Sequence, residues 1–326
     1  MDNVRKVLVV GPMPAAATDL FEAREDIIYE VVTDVTEENL LEKVKGVHGM
    51  TVRTALITPA IVAAAESLEI VSRYGVGYDN IDVPSLNKRG IPLAVVGTAN
   101  SDPVAEAAMF MMFELAKMGR QHDKAVREGN WNYRLETNAI ELWRKKLLIV
   151  GFGRIGTRLA RRCKALEMEI SVVDPYVSPE VIIAAGCTPV GDFRAVLPEM
   201  DYVSLHLPLS PESENMIGPA EFEAMKPSAI LVNCARGGIV DEVALYAALS
   251  SGQIRGAGLD VFDAEPPRKD NPLFHLDNIV FSPHIAGVTR EAAHRMAMVC
   301  AQNVLDRLDG RLDRGMVVNT EVMGPA

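Results

Sequence analysis

The stretch from Lys145 to Gly156 limits what this chain can fold into more than any other. Leu147 to Val150 is a short apolar run of strand type, and Gly151, Gly153 and Gly156 follow on the spacing G-x-G-x-x-G, where a helix begins. In that arrangement the first glycine permits a tight turn, the second lets backbone approach a ligand, and the third lets the helix lie close on the strand. The helix start supplies free N–H groups and the positive end of a dipole, which favour a phosphate. Three glycines alone are a weak signal, so the context decides. Thr157 to Met168 carries Leu159, Ala160, Cys163 and Leu166 at helical spacing, and the β-rich run Ile170 to Val173 ends in Asp174, 18 positions after Gly156. A carboxylate there accepts hydrogen bonds from the ribose hydroxyls of a dinucleotide; the plain alternative is a turn before Pro175. With all four features in register, the reading is a dinucleotide-binding βαβ unit.

A chain of 326 residues suggests two domains. A hydrophobic share of 48% and a charged share of 24% place it among ordinary globular proteins. The net charge of −11 argues against nucleic-acid or anionic-membrane partners, which usually demand a basic patch. Cys163, Cys187, Cys234 and Cys300 form neither a C-x-x-C pair nor a metal-ligand spacing with histidine, so no metal is expected and the thiols read as core residues in a reducing compartment. No run approaches the roughly 18 apolar residues of a membrane span, and Val7 to Val10 is too short for a signal-peptide core. A cytoplasmic location is the expectation.

Short β runs alternate with helical segments through the first part of the chain. Lys6 to Val10, Ile27 to Val32, Gly49 to Val52, Glu69 to Ser72 and Pro92 to Val95 read as strands, with Glu37 to Val44 and Pro59 to Glu66 as helices, which implies a small parallel α/β domain. Arg53 stands at one strand end, as a ligand contact or a solvated charge. Arg73 to Asp82 contains a glycine-bearing turn at another, able to hold a carboxylate on backbone N–H groups or simply to reverse the chain. Gly97 to Pro103 reads as a hinge, followed by a long helix from Val104 to Glu128. Ala107 to Phe113 within it is apolar nearly all round, fit for a domain or a subunit interface. Tyr202 to His206, Ala229 to Asn233, Gly256 to Val261 and Asn278 to Ser282 read as further strands, alternating with helices around Pro219 to Met225 and Glu242 to Ser250. Their ends carry His206, Arg236, Asp260 and His284 to one rim of a doubly wound sheet. A last helix, Thr289 to Leu308, is expected to lead back to the first domain.

Arg236 in N-C-A-R-G-G, Glu265 in D-A-E-P-P and His284 in S-P-H-I-A-G could form an acid/base site. A 2-oxo acid needs a cation for its carboxylate and carbonyl, and a proton for the alkoxide that develops as hydride arrives. Arginine's planar fork suits the first need and imidazole the second. A carboxylate on His284 would orient the ring and favour the imidazolium. The plain alternative makes Glu265 a loop cap and His284 structural, as His48, His122, His206, His275 and His294 are mostly read.

At these residues the chain resembles the D-isomer-specific 2-hydroxyacid dehydrogenase family over nearly its whole length, through G-V-G-Y-D-N-I-D, G-F-G-R-I-G with Asp174, N-C-A-R-G-G, G-L-D-V-F-D-A-E-P-P and S-P-H-I-A-G. The resemblance implies an α/β fold: a Rossmann doubly wound parallel sheet over 101–290 that binds NAD, plus a second, flavodoxin-like α/β substrate domain, discontinuous in sequence, from 1–100 and 291–326. It implies Arg236, Glu265 and His284 as catalytic residues. Gly151, Gly153, Arg154, Ile155, Gly156, Asp174, Cys234, Ala235, Arg236, Asp260, His284 and Gly287 are implied at the cofactor, and Arg53, Val76, Gly77, Arg236 and His284 at the substrate.

Within the family the chain is similar to phosphoglycerate dehydrogenase-like members, and next to hydroxypyruvate and glyoxylate reductases. Arg53 matches a position that helps bind a substrate phosphate. Two departures stand out: Val96 to Asn100 replaces the common Asn-Thr-Pro before the hinge helix, and the chain stops at Ala326 without an appended regulatory domain. Glu265 argues against a formate dehydrogenase. The expected function is NAD-dependent hydride transfer on a 2-hydroxy or 2-oxo acid; an NAD(H)-sensing protein of corepressor type is the rival from another class. Asp174, with no arginine in Pro175-Tyr176-Val177, predicts NAD over NADP. The apolar helix, with the family's paired cofactor domains, predicts a homodimer through the NAD-binding domain.

Overall fold

Every ladder between the strands is parallel. The structure, a computed structural model, describes residues 4–324. Its strands are β1 (Arg5–Val10), β2 (Ile27–Val32), β3 (Gly49–Val52), β4 (Ile70–Arg73), β5 (Leu93–Ala94), β6 (Lys146–Val150), β7 (Glu169–Val173), β8 (Thr188–Pro189), β9 (Tyr202–Leu205), β10 (Ile230–Asn233), β11 (Gly256–Leu259) and β12 (Ile279–Phe281). Contacts divide the chain into two compact units, one running to Asn100 and resuming at Val288, the other Ser101–Gly287.

The first unit holds a five-stranded sheet in the order β2-β1-β3-β4-β5, the doubly wound order of flavodoxin-like proteins. Its strands read as continuous apolar runs because both faces are covered. Leu8 and Val10 pack under Leu40, Ile61 and Leu86 from helices Glu37–Lys43, Pro59–Ala64 and Val83–Lys88. Val7 and Val9 face Phe21 of helix Ala15–Glu22, and Met296, Cys300 and Val304 of helix Arg290–Leu308. That last helix starts at Thr289, whose hydroxyl accepts the Ala292 N–H at 3.1 Å. The chain end then covers the edge of β5: Asn319 Oδ1 accepts the Leu93 N–H at 2.7 Å, and Val318 N–H donates to the Leu93 carbonyl at 2.8 Å.

The second unit holds seven strands in the order β12-β11-β10-β9-β6-β7-β8. Read from β8 this is the dinucleotide-binding order 3-2-1-4-5-6 with one strand added, and the order reverses between β6 and β9. On one face Leu147, Ile149, Ile230 and Val232 pack against helices Ser101–Lys117 and Gly156–Ala165. On the other, Leu148, Val203 and Leu231 pack against Phe222, Leu245 and Leu249 from helices Pro219–Ala224 and Glu242–Ser250. Among the described residues no helix is long and apolar enough to cross a membrane.

The long helix expected over Val104 to Glu128 is two helices, Ser101–Lys117 and Gly119–Arg127. Met118 breaks them with φ +55°, and the Glu114 carboxylate accepts the Arg120 N–H at 2.9 Å, capping the new start. The hinge expected over 97–103 is also shorter, since Ser101 to Pro103 already form a first helical turn, where proline is tolerated.

Candidate active site

β6 runs into the glycine-rich turn at the carboxyl edge of the sheet, beside the point where strand order reverses. Gly151 has φ +95°, and a Cβ there would lie 2.3 Å from the His206 carbonyl at the end of β9, so only glycine lets the turn pass. A Cβ on Gly156 would lie 2.1 Å from the Gly151 carbonyl, which is why the next helix can start against the turn. A Cβ on Gly153 would meet nothing within 4 Å, so this face of the turn is open to a ligand. Arg154 and Ile155 lead from it into the helix, with Ile155 as its N-cap.

Asp174, just beyond β7, is tied into this turn. Its carboxylate accepts the Phe152 N–H at 2.7 Å and the Tyr176 N–H at 2.9 Å, leaving lone pairs on both oxygens for further donors. His206 closes the other side of the crevice. Its Nε2 lies 2.8 Å from the Ser204 Oγ, its Nδ1 is buried with no partner among the described residues, and burial pushes its pKa down to about 4, so the ring is neutral at neutral pH.

β10 delivers Cys234, Ala235 and Arg236 in a turn wound round buried Asn233. The Asn233 side chain donates to the Arg236 carbonyl at 2.8 Å and accepts the Ala235 N–H at 3.0 Å, and Arg236 Nη1 donates to the Ala235 carbonyl at 2.6 Å. The Cys234 thiol points into the core 3.9 Å from Met111 Sδ, and burial pushes its pKa up, so this residue offers the rim its backbone.

Asp260, 2% exposed beyond β11, holds the turn that carries the histidine. Its Oδ1 accepts the Ile285 N–H at 2.9 Å, its Oδ2 accepts the Ala286 N–H at 3.0 Å, and the Ser282 hydroxyl donates to it as well. The resemblance places Asp260 at the cofactor; in the structure its carboxylate holds the 282–286 turn, with one lone pair left on Oδ2. His284 N–H donates to the Asp260 carbonyl at 2.7 Å, and His284 sits at φ +50°, a conformation non-glycine residues seldom adopt. In this pose its Nδ1 lies 2.6 Å from Glu265 Oε2, while Glu265 Oε1 accepts the Phe262 N–H at 3.1 Å. With Nδ1 engaged, Nε2 is the ring nitrogen left for proton transfer. Half-buried Gly287 follows directly. A cavity of about 440 Å³ lined by Phe262, Pro266, Phe274 and Phe281 opens beside the pair.

On the first unit's own carboxyl rim, Arg53 Nη1 donates to the Pro12 carbonyl at 3.2 Å and its guanidinium lies 5.6 Å from the Tyr74 ring centre. Val76 and Gly77 are half-buried in the turn after β4, where Gly75 bends the chain at φ +145°.

Residues 109–286 match the description D-isomer specific 2-hydroxyacid dehydrogenase, NAD binding domain. The D-3-phosphoglycerate dehydrogenase of Methanocaldococcus jannaschii is 39% identical over 313 residues, 96% of this chain and 59% of that protein. This chain belongs to the D-isomer-specific 2-hydroxyacid dehydrogenase family. The glyoxylate reductase of Korarchaeum cryptofilum is 38% identical over 323 residues, 98% of this chain and 97% of that protein. A crystal structure of a glyoxylate reductase from Paecilomyes thermophila aligns with TM-score 0.87 at 26% identity, covering 98% of this chain and 100% of that one. The chain spans under two-thirds of the length of the phosphoglycerate dehydrogenases of Methanocaldococcus jannaschii, Archaeoglobus fulgidus and Synechocystis sp. that it matches. NAD is the cofactor of this family's matched domain, and the residues fit it: an open turn at Gly153, a helix start behind it and a carboxylate beyond β7.

Proposed function

We propose that this family member is an NAD-dependent D-2-hydroxyacid dehydrogenase that interconverts a 2-oxo and a 2-hydroxy acid, with His284 as the acid/base. The observation that carries the reading is the 2.6 Å contact between His284 Nδ1 and Glu265 Oε2. The bound cofactor supplies or accepts the hydride. In reduction, His284 gives its Nε2 proton to the oxygen that becomes the hydroxyl, and Glu265 stabilises the imidazolium beforehand. Arg236 pairs with the substrate carboxylate and polarises the carbonyl. The unit that runs to Asn100 and resumes at Val288 serves as the substrate domain, with the Val76-Gly77 turn offering N–H groups to the carboxylate.

The placement of Arg53, its cation steadied by Tyr74, supports a second anionic group on the substrate, as in the phosphoglycerate dehydrogenases. The 38% identity to the glyoxylate reductase of Korarchaeum cryptofilum supports the smaller acids instead. NADH consumption with glyoxylate, hydroxypyruvate and phosphohydroxypyruvate separates the two. Turnover of none, together with tight NADH binding, supports the sensor reading. Phe110, Trp131 and Leu135 of the NAD-binding domain, which are 60%, 64% and 72% exposed in the single chain, support a homodimer. The four free, buried cysteines support a cytoplasmic setting.

A further inference from the structure

Two successive carbonyls of the glycine-rich turn are held by side chains from the following helix. The Gly153 carbonyl accepts the Thr157 hydroxyl at 2.8 Å, and the Arg154 carbonyl accepts Arg158 Nη1 at 2.7 Å. Arg158 is anchored in turn, since its Nε donates to Asp102 Oδ2 at 3.0 Å. The other Asp102 oxygen takes Arg162 Nη2 at 2.7 Å. Hydrogen bonds from Arg162 and then Arg158 hold the Asp102 carboxyl below the usual carboxylate range, so the anchor keeps its charge well into mild acid.

A peptide unit is planar and trans, so its C=O and N–H point in opposite directions. Holding the Arg154 carbonyl therefore aims the Ile155 N–H the other way, away from Arg158. That N–H stands at the helix start, where the chain can receive a pyrophosphate. We propose that Arg158, anchored by Asp102, is a positioning residue for the cofactor phosphates: it fixes the Ile155 amide from the carbonyl side without touching the ligand. The proposal rests on the NAD-binding reading of this turn. Arg162 supplies the internal comparison. It shares Asp102 and adds Glu106 at 3.2 Å, but it donates to the Arg158 carbonyl at 3.2 Å, outside the turn.

The test is NADH affinity by fluorescence titration of the full chain, with thermal unfolding measured in parallel. Arg158→Gln is expected to weaken NADH about tenfold, the scale of one lost hydrogen bond to a charged donor, while kcat at saturating NADH changes little. Arg158→Lys recovers part of the loss, because an ammonium cannot span both partners as the guanidinium does. Arg162→Gln binds NADH like the parent. The proposal is overturned if Arg158→Gln binds NADH like the parent, or if Arg162→Gln weakens it equally. Should Arg158→Gln fail to fold, Asp102→Asn decides: it releases Arg158 at constant size and is expected to weaken NADH severalfold, and unchanged binding overturns the proposal. A parent chain that binds no NADH fails the cofactor reading instead.

Discussion

His284 Nδ1 lies 2.6 Å from Glu265 Oε2, and each partner is fixed from behind by backbone, Glu265 by the Phe262 N–H and His284 by the Asp260 carbonyl. His284→Gln is expected to lower kcat by about 10²- to 10⁴-fold with NADH binding nearly intact, the loss typical of a missing general acid. Glu265→Gln keeps a hydrogen-bond partner for Nδ1 but not its charge, and should lower kcat by less than the histidine substitution does. Near-normal kcat in the first variant, or an unchanged kcat in the second, would break the assigned pair.

Asp174 has two tasks, and substitutions can separate them. The parent should use NADH far better than NADPH, because a 2′-phosphate would face the carboxylate. Asp174→Asn keeps an acceptor for the Phe152 N–H and should narrow that preference with little loss of stability. Asp174→Arg should shift it further toward NADPH but also slacken the turn, which would appear as a lower Tm. Comparable kcat/KM for the two cofactors in the parent would sink the first expectation.

His206 makes stability depend on mild acid. Its folded pKa of about 4 lies below the ordinary 6.5, so the unfolded chain binds the extra proton first. The contribution is therefore fully present above about pH 6.5 and is lost as pH falls toward 4, by at most about 3 kcal/mol. His206→Gln cannot take that proton. Chemical denaturation at pH 7 and pH 4.5 should show a smaller decline in the variant than in the parent, and equal declines would refute the assignment.

The exposed apolar side chains of Phe110, Trp131 and Leu135 predict self-association. Light scattering at micromolar concentration should give twice the chain's 35.5 kDa, and Phe110→Glu should shift the mass toward the monomer. An obligate interface of this type buries more than about 2,000 Å² of largely apolar surface, so a charge placed within it is a severe test. A monomeric parent removes the proposal.

Most strands were legible because burial on both sheet faces writes itself as unbroken apolar runs such as Val7 to Val10 and Leu147 to Val150. The rim residues followed from where those runs end. What escaped the reading depends on contacts between distant positions. Glu114 caps a helix six residues on and so splits an apparently continuous helical pattern. Asp260 reaches 25 and 26 residues ahead to hold the amides of Ile285 and Ala286, and Asp102 meets Arg158 across 56 residues. Hydrogen bonds of this kind leave no periodicity behind. The two-residue strand β8 is too short for pattern to separate it from a loop, and the helices Ala15–Glu22, Val83–Lys88 and Pro179–Ala184 were also missed.

The supports described for the acid/base pair all come from one continuous stretch of chain, Asp260 to Ala286. The histidine's unusual backbone angle, the carboxylate beside it and the buried aspartate beneath it therefore answer to one segment, so a displacement of Asp260 would carry the amides of Ile285 and Ala286, and the ring between them and Glu265, along with it.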